Sequence, residues 1–126
     1  MRRALAAGVL AALLPGCGRE PAPLTTHGKP VAEWVAALND PSPRVRKKAV
    51  VALGHAVPAD ADALPAVIGA LKDRDPGVRA EAVLALLNLG ADAKDAVPAL
   101  TEATRDRDAR VRSYAAKALA RIQGGD

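Results

Sequence analysis

The stretch DRDPGVRAEAV, residues 73–83, is spelled three times in this chain. DPSPRVRKKAV occupies 40–50 and DRDARVRSYAA occupies 106–116. Sliding the sequence by 33 residues superposes the three copies with no insertion or deletion. Asp40, Asp73 and Asp106 coincide, as do Val45, Val78 and Val111, and Arg46, Arg79 and Arg112. Ala49, Ala82 and Ala115 follow, then Ala52, Ala85 and Ala118, then Leu53, Leu86 and Leu119. Upstream, Val31, Leu64 and Val97 align, and Trp34, Val67 and Leu100 share a position. An unbroken period of this length over three units is the signature of a solenoid, in which each unit covers a face its neighbour leaves bare.

Each unit reads as two helices. The first is VAEWVAALN, LPAVIGALK or VPALTEATR, with Pro30, Pro65 or Pro98 in or near its first turn, where a missing N–H costs nothing. A turn built on DPSP, DRDP or DRDA follows. The second helix carries an apolar stripe at helical spacing: Val78, Ala82, Ala85, Leu86 and Leu89, repeated as Val111, Ala115, Ala118, Leu119 and Ile122. Gly90 and Gly124 read as stops. The composition agrees. Apolar residues make up 50% of the 126-residue chain but aromatics only 2%, namely Trp34 and Tyr114. Strands draw on β-branched and aromatic residues, whereas Ala and Leu suit close helix packing. The expected fold is all-α, an α-α superhelix of three helical hairpins spanning about 31–63, 64–96 and 97–126, within a domain covering 30–126.

These residues resemble the HEAT repeat family, in particular its short bacterial type, also called phycobilisome-lyase HEAT-like. The signature Asp-x-x-Pro-x-Val-Arg-x-x-Ala-x-x-Ala-Leu is filled at every fixed position by DRDPGVRAEAVLAL and by DPSPRVRKKAVVAL. In the third copy Ala109 replaces the Pro. The resemblance implies a structural ladder. Asp40, Asp73 and Asp106 would accept backbone N–H groups at the turns, and Arg46, Arg79 and Arg112 would reach Asp of a neighbouring unit. It also implies that the second helices line the concave side. Even spacing of carboxylates and guanidinia suits a ladder, since an active site needs convergence.

The first residues, MRRALAAGVLAALLPGCGRE, read as an address. Arg2 and Arg3 precede eleven apolar or Gly residues, Ala4 to Leu14. Such a run rises only ~16 Å as a helix, about half a bilayer core, so it suits a signal peptide and not a span. Leu14, Gly16 and Cys17 are similar to the bacterial lipoprotein box, from which Pro15 departs. That resemblance implies cleavage after residue 16, lipidation of Cys17, and a membrane-anchored protein facing the periplasm or cell exterior. The alternative is an ordinary secretory signal with an incidental Cys. No other cysteine exists to pair with it. Residues 17–29, rich in Pro, Gly and polar residues, read as a flexible tether. His27 lies there as a solvated residue, far in sequence from His55.

Charge excludes little and supports little. The chain has 18 Lys and Arg against 14 Asp and Glu, and two of the 18 are Arg2 and Arg3. The remaining balance is too even to indicate nucleic acid. No catalytic set, cofactor motif or metal cluster is visible, and the chain reads as non-enzymatic, monomeric and without cofactor. The outward stripe of the second helices follows from 100° per residue. It holds Arg44, Lys48, Val51 and His55; then Gly77, Glu81, Leu84 and Asn88; then Arg110, Tyr114, Lys117 and Arg121. Val51 and Leu84 are apolar where a solvated face is expected, and with Tyr114 they form a candidate contact patch or a scatter of ordinary surface hydrophobics. The third unit replaces them with Lys117, as suits a capped end. Trp34 is expected to cover the opposite end of the core. The expected function is therefore a scaffold that binds a protein or peptide on its concave face. The resemblance admits two alternatives, attachment or removal of bilin chromophores and binding of nucleic acid in a basic groove.

Overall fold

The computed structural model describes residues 25–124. The expected signal peptide, Cys17 and most of the expected tether lie outside the described residues. The chain opens with a small antiparallel hairpin, β1 (Thr25–Thr26) and β2 (Lys29–Pro30). Six α-helices follow: α1 (Val31–Ala37), α2 (Pro43–Ala56), α3 (Ala63–Gly69), α4 (Pro76–Leu89), α5 (Val97–Ala103) and α6 (Ala109–Gly124). Short 3₁₀ turns extend α3 at Ala70–Lys72 and lead into α5 at Gly90–Ala96. Among the described residues no helix is long and apolar enough to cross a membrane.

The helices pair as three hairpins, α1 with α2, α3 with α4, α5 with α6, and the second helices stack α2 on α4 on α6. Each second helix starts where the sequence says it must. Pro43 and Pro76 fill the first helical turn, where their fixed φ is already helical. Asp75 caps α4 by accepting from Val78 N at 3.0 Å. Asp108 does the same for α6, accepting from Arg110 N and Val111 N. The Val111 bond in particular holds the Asp108 carboxyl below the usual carboxylate range. Gly90 ends α4 at a positive φ of 57°. Gly124, by contrast, is itself helical, within α6.

The core is one continuous seam. Ala49, Ala82 and Ala115 are fully buried, and Trp34, Val67 and Leu100 anchor the three first helices. Small side chains let the second helices approach closely. A Cβ added to Gly54 on α2 would stand 3.0 Å from Ala85 Cβ on α4. Aligned positions do not all share one environment, however. Val78 and Val111 are fully buried, but Val45 is 36% exposed. Val45 belongs to unit one, which has no preceding unit among the described residues. Leu119, likewise, is only half-buried on the last helix.

Residues 25–29 also depart from the expected tether. His27 and Gly28 both have positive φ, 50° and 79°, and form the two-residue loop of the hairpin. That geometry matches the twist of paired strands. Thr26 Oγ1 donates to Ala52 O, and Trp34 Nε1 donates to Thr26 O at 2.8 Å. The hairpin thus lies over the part of unit one that a preceding repeat would cover.

Across the turns runs a ladder of ion pairs. Arg46 on α2 sends Nε and Nη2 to Asp73 of unit two, at 2.9 and 3.1 Å. Its Nη1 donates to Asp40 O and Pro41 O of its own turn. Arg79 repeats this, with Nε and Nη2 on Asp106 at 2.9 and 3.0 Å and Nη1 on Asp73 O and Arg74 O. Each Asp then accepts a backbone N–H two residues on, from Ser42, Asp75 and Asp108. The bidentate fork is the strong form of this interaction. Arg112 holds the same two carbonyls of its own turn, Asp106 O and Arg107 O, but among the described residues no carboxylate meets its fork. Asp40 likewise receives no guanidinium among the described residues. Two rungs therefore join three units, with one half-rung left at each end.

The electrostatics of the second rung are mutual. Burial alone would push the Asp106 carboxyl up. Hydrogen bonds from Arg79 and from Asp108 N–H, with the charges of Arg79 and Arg107, reverse this and hold it below the usual range. The hydrogen bond to Asp106 in turn holds the Arg79 guanidinium above its usual value, against desolvation.

Removing Asp106 leaves a largely buried Arg79 unpaired. Asp106→Ala is expected to cost about 3 kcal/mol in urea unfolding, whereas Arg112→Ala, at the exposed end, costs no more than about 1 kcal/mol. Equal losses would mean that the rungs contribute nothing as pairs. The lowered Asp106 value also sets a pH dependence. Its contribution is complete above the ordinary carboxylate range and is lost as pH falls through the lower folded value. The stability gap between wild type and Asp106→Asn is therefore expected to narrow below about pH 4, as thermal melts across that range would record.

Candidate functional site

The second helices present their outward stripe along one side of the stack. Arg44, Lys48, His55, Asn88, Arg110, Lys117 and Arg121 are exposed, and Val51, Gly77, Glu81, Leu84 and Tyr114 are half-buried. All project from α2, α4 and α6, whose relative placement the ladder and the alanine seam fix. A groove of about 440 Å³ opens between α2 and α4. Val51, Gly54, His55 and Pro58 form one wall, and Glu81, Ala85, Asn88 and Leu89 form the other. The glycine at 54 matters because a larger side chain there would fill the floor and push the helices apart. The floor is apolar, and Glu81, Asn88 and His55 supply polar groups at its rim.

Charge is distributed unevenly. The stripe holds five Lys and Arg against one acid, Glu81, while the other described residues hold ten against eleven. The excess positive charge of the described chain is thus concentrated here. Within the stripe it is also ordered. Arg44 and Lys48 lie on α2, Arg110, Lys117 and Arg121 lie on α6, and α4 between them contributes no cation but Glu81, Leu84 and Asn88. Lys117 Nζ stands 6.0 Å from the Tyr114 ring centre, at the outer limit of a cation–π contact. Arg121 lies against Gly90, whose added Cβ would meet its Nε at 3.4 Å.

The structure brings together two residues that the sequence separates. His27, expected as a solvated loop residue far from His55, forms a hydrogen bond with it, Nε2 to Nδ1, at 2.8 Å. The ring centres are 5.1 Å apart and 24° from parallel. With so short an N···N distance the rings meet along their edges, one nitrogen carrying the hydrogen and the other accepting it. His27 also stands edge-on to Trp34 at 6.5 Å, and Lys29 Nζ lies 5.0 Å from that ring. The hairpin therefore lies at the unit-one end of this stripe, and His55 belongs both to the hairpin contact and to the groove. The signal for it was Thr-Thr-His-Gly-Lys-Pro, a two-residue turn between short extended pairs. Trp34 is buried there and its N–H is satisfied by the hairpin.

A second recess, of about 370 Å³, lies on the turn edge between units two and three. Arg79 and Asp106 in its wall are engaged with each other. Among the described residues no group of three or more His, Cys, Asp or Glu is placed to hold a metal ion.

Comparison with known proteins places these features in a family. The model of the family described as HEAT repeats matches residues 31–120, and the chain belongs to that family. HEAT repeats generally mediate protein–protein interaction. No curated protein matches in sequence. Among solved structures, the crystal structure of an engineered protein from a structural-genomics consortium is similar, with a TM-score of 0.61 and 29% identity. The match covers 73% of this chain and 44% of the engineered one, so this chain spans less than half of that protein's length.

The histidine bond is a latch that can be removed without touching the core. His55→Ala is expected to lower stability by no more than about 1 kcal/mol. It is also expected to raise the accessibility of Trp34 to a neutral quencher, since the hairpin that satisfies the indole is released. Quenching indistinguishable from wild type would show that the hairpin is held without the pair.

Proposed function

We propose that this protein is a non-catalytic interaction module that captures a protein or peptide on its concave face. It acts as a monomer outside the cytoplasm, held to a membrane through a lipid on Cys17. The observation that carries the capture surface is the concentration of unbalanced positive charge beside an open groove, on helices the ladder holds rigid. A preformed face of this kind binds with little ordering cost. The export and anchoring part rests on residues 1–17. Their basic start, short apolar run and Leu14-Pro15-Gly16-Cys17 ending suit removal before Cys17. The even spacing of the Asp and Arg residues and their mutual pairing support a structural role for them and leave no converging catalytic set on this face.

Reversing charge at Lys48, Lys117 and Arg121 together tests the surface. All three are exposed, so the variant is expected to keep its helicity and melting temperature. A photo-crosslinker placed at Leu84 in cells is expected to give a defined protein adduct in wild type that disappears in the triple variant. An adduct of unchanged yield would move the binding surface elsewhere. Cys17→Ala is expected to shift the protein from the membrane fraction to the soluble fraction, and intact mass is expected to lose the acyl chains. A protein that fractionates identically with and without Cys17 has no lipid anchor there.

A further inference from the structure

We infer that the concave face is built for an extended acidic segment that carries one bulky aliphatic side chain between its acidic ends. The inference rests on the capture function proposed above and names the chemistry of what is captured. Two observations point to it. The first is the order of charge along the outward stripe: cations on α2, none on α4, whose Arg79 is buried in the ladder, and cations again on α6. The second is the apolar-floored groove of about 440 Å³ between α2 and α4, beside Leu84. A complementary ligand is negative at its ends and apolar between them.

The spacing follows from the stack. Packed helices lie about 8–10 Å apart, so α2 and α6 are separated by roughly 16–20 Å. An extended chain advances about 3.3 Å per residue, and five or six residues therefore span the distance. Carboxylates near the two ends reach Lys48 on one side and Lys117 with Arg121 on the other. The side chain between them enters the groove, where Gly54 and Ala85 leave room. A nucleic acid or an anionic membrane fits less well. Each offers repeated phosphates and would set them over Glu81, and one half-buried tyrosine, Tyr114, offers no stacking platform.

The test uses the full chain and a labelled octapeptide with two glutamates at each end and a leucine in the middle. Anisotropy at moderate salt is expected to show binding. Replacing the leucine by serine, or all four glutamates by lysine, is expected to weaken it at least tenfold. Val51→Glu, which puts a charge at the groove wall, and Lys117→Glu with Arg121→Glu are each expected to weaken it at least tenfold, with unchanged thermal melts. An oligothymidylate of equal charge is expected to bind at least tenfold more weakly than the peptide. Binding that ignores the leucine, or an oligonucleotide that binds as well as the peptide, overturns the inference. So does failure of the acidic peptide to bind. If that failure occurs while the crosslinked adduct still depends on Lys48, Lys117 and Arg121, the capture surface stands and only this ligand chemistry falls.

Discussion

The geometry of this protein depends on a guanidinium that serves two units at once. One edge of Arg46 or Arg79 ties down the turn before its own helix, and the other grips the aspartate of the next unit. That aspartate in turn fixes its own loop by accepting a backbone N–H. Each rung therefore sets the start of two second helices relative to each other. The alanine seam and the close approach at Gly54 then bring those helices together along their length. A buried ion pair in isolation stabilises little relative to a well-packed apolar substitute. Here its value is register: it specifies which turn faces which.

Register is what gives the concave face its chemistry. The residues one step around each second helix from the core are brought into three parallel rows, and the order of charge across those rows becomes a property of the surface. A cation on α2 and another on α6 are far apart in sequence yet lie on either side of Glu81 and Leu84. The hairpin adds a boundary. By covering the exposed flank of unit one and pairing His27 with His55, it closes one end of the face. On α6, Ser113, Ala116 and Ala120 are exposed, each small or polar.

The repeat made the fold readable, because a 33-residue period leaves little freedom in where helices begin, end and pack. The twofold use of Arg79 follows from the family resemblance and from three aspartates at the same interval. The outward stripe was read from helical angle alone, and the structure leaves seven of its residues exposed and five half-buried. What periodicity does not carry is the end effects. Val45 holds the same repeat position as Val78 and Val111, but it is exposed where they are buried, and among the described residues no unit precedes it. The hairpin was hidden for a related reason. Thr25 to Pro30 have no counterpart in the other units, their composition is that of a loop, and their order comes from contacts with Ala52, Trp34 and His55. The groove between α2 and α4 was likewise not in the pattern, since it depends on a glycine at 54 where the aligned residues are Leu87 and Ala120.

The central claim is that the three hairpins hold one another in place and none stands alone. Urea unfolding followed by two probes tests it most directly. Trp34 reports on unit one, and far-ultraviolet circular dichroism reports on all three units. The account predicts that the two curves coincide with one midpoint and one slope. A fluorescence transition clearly separated from the loss of helicity would show that unit one melts by itself, and would contradict the mutual support on which the concave face depends.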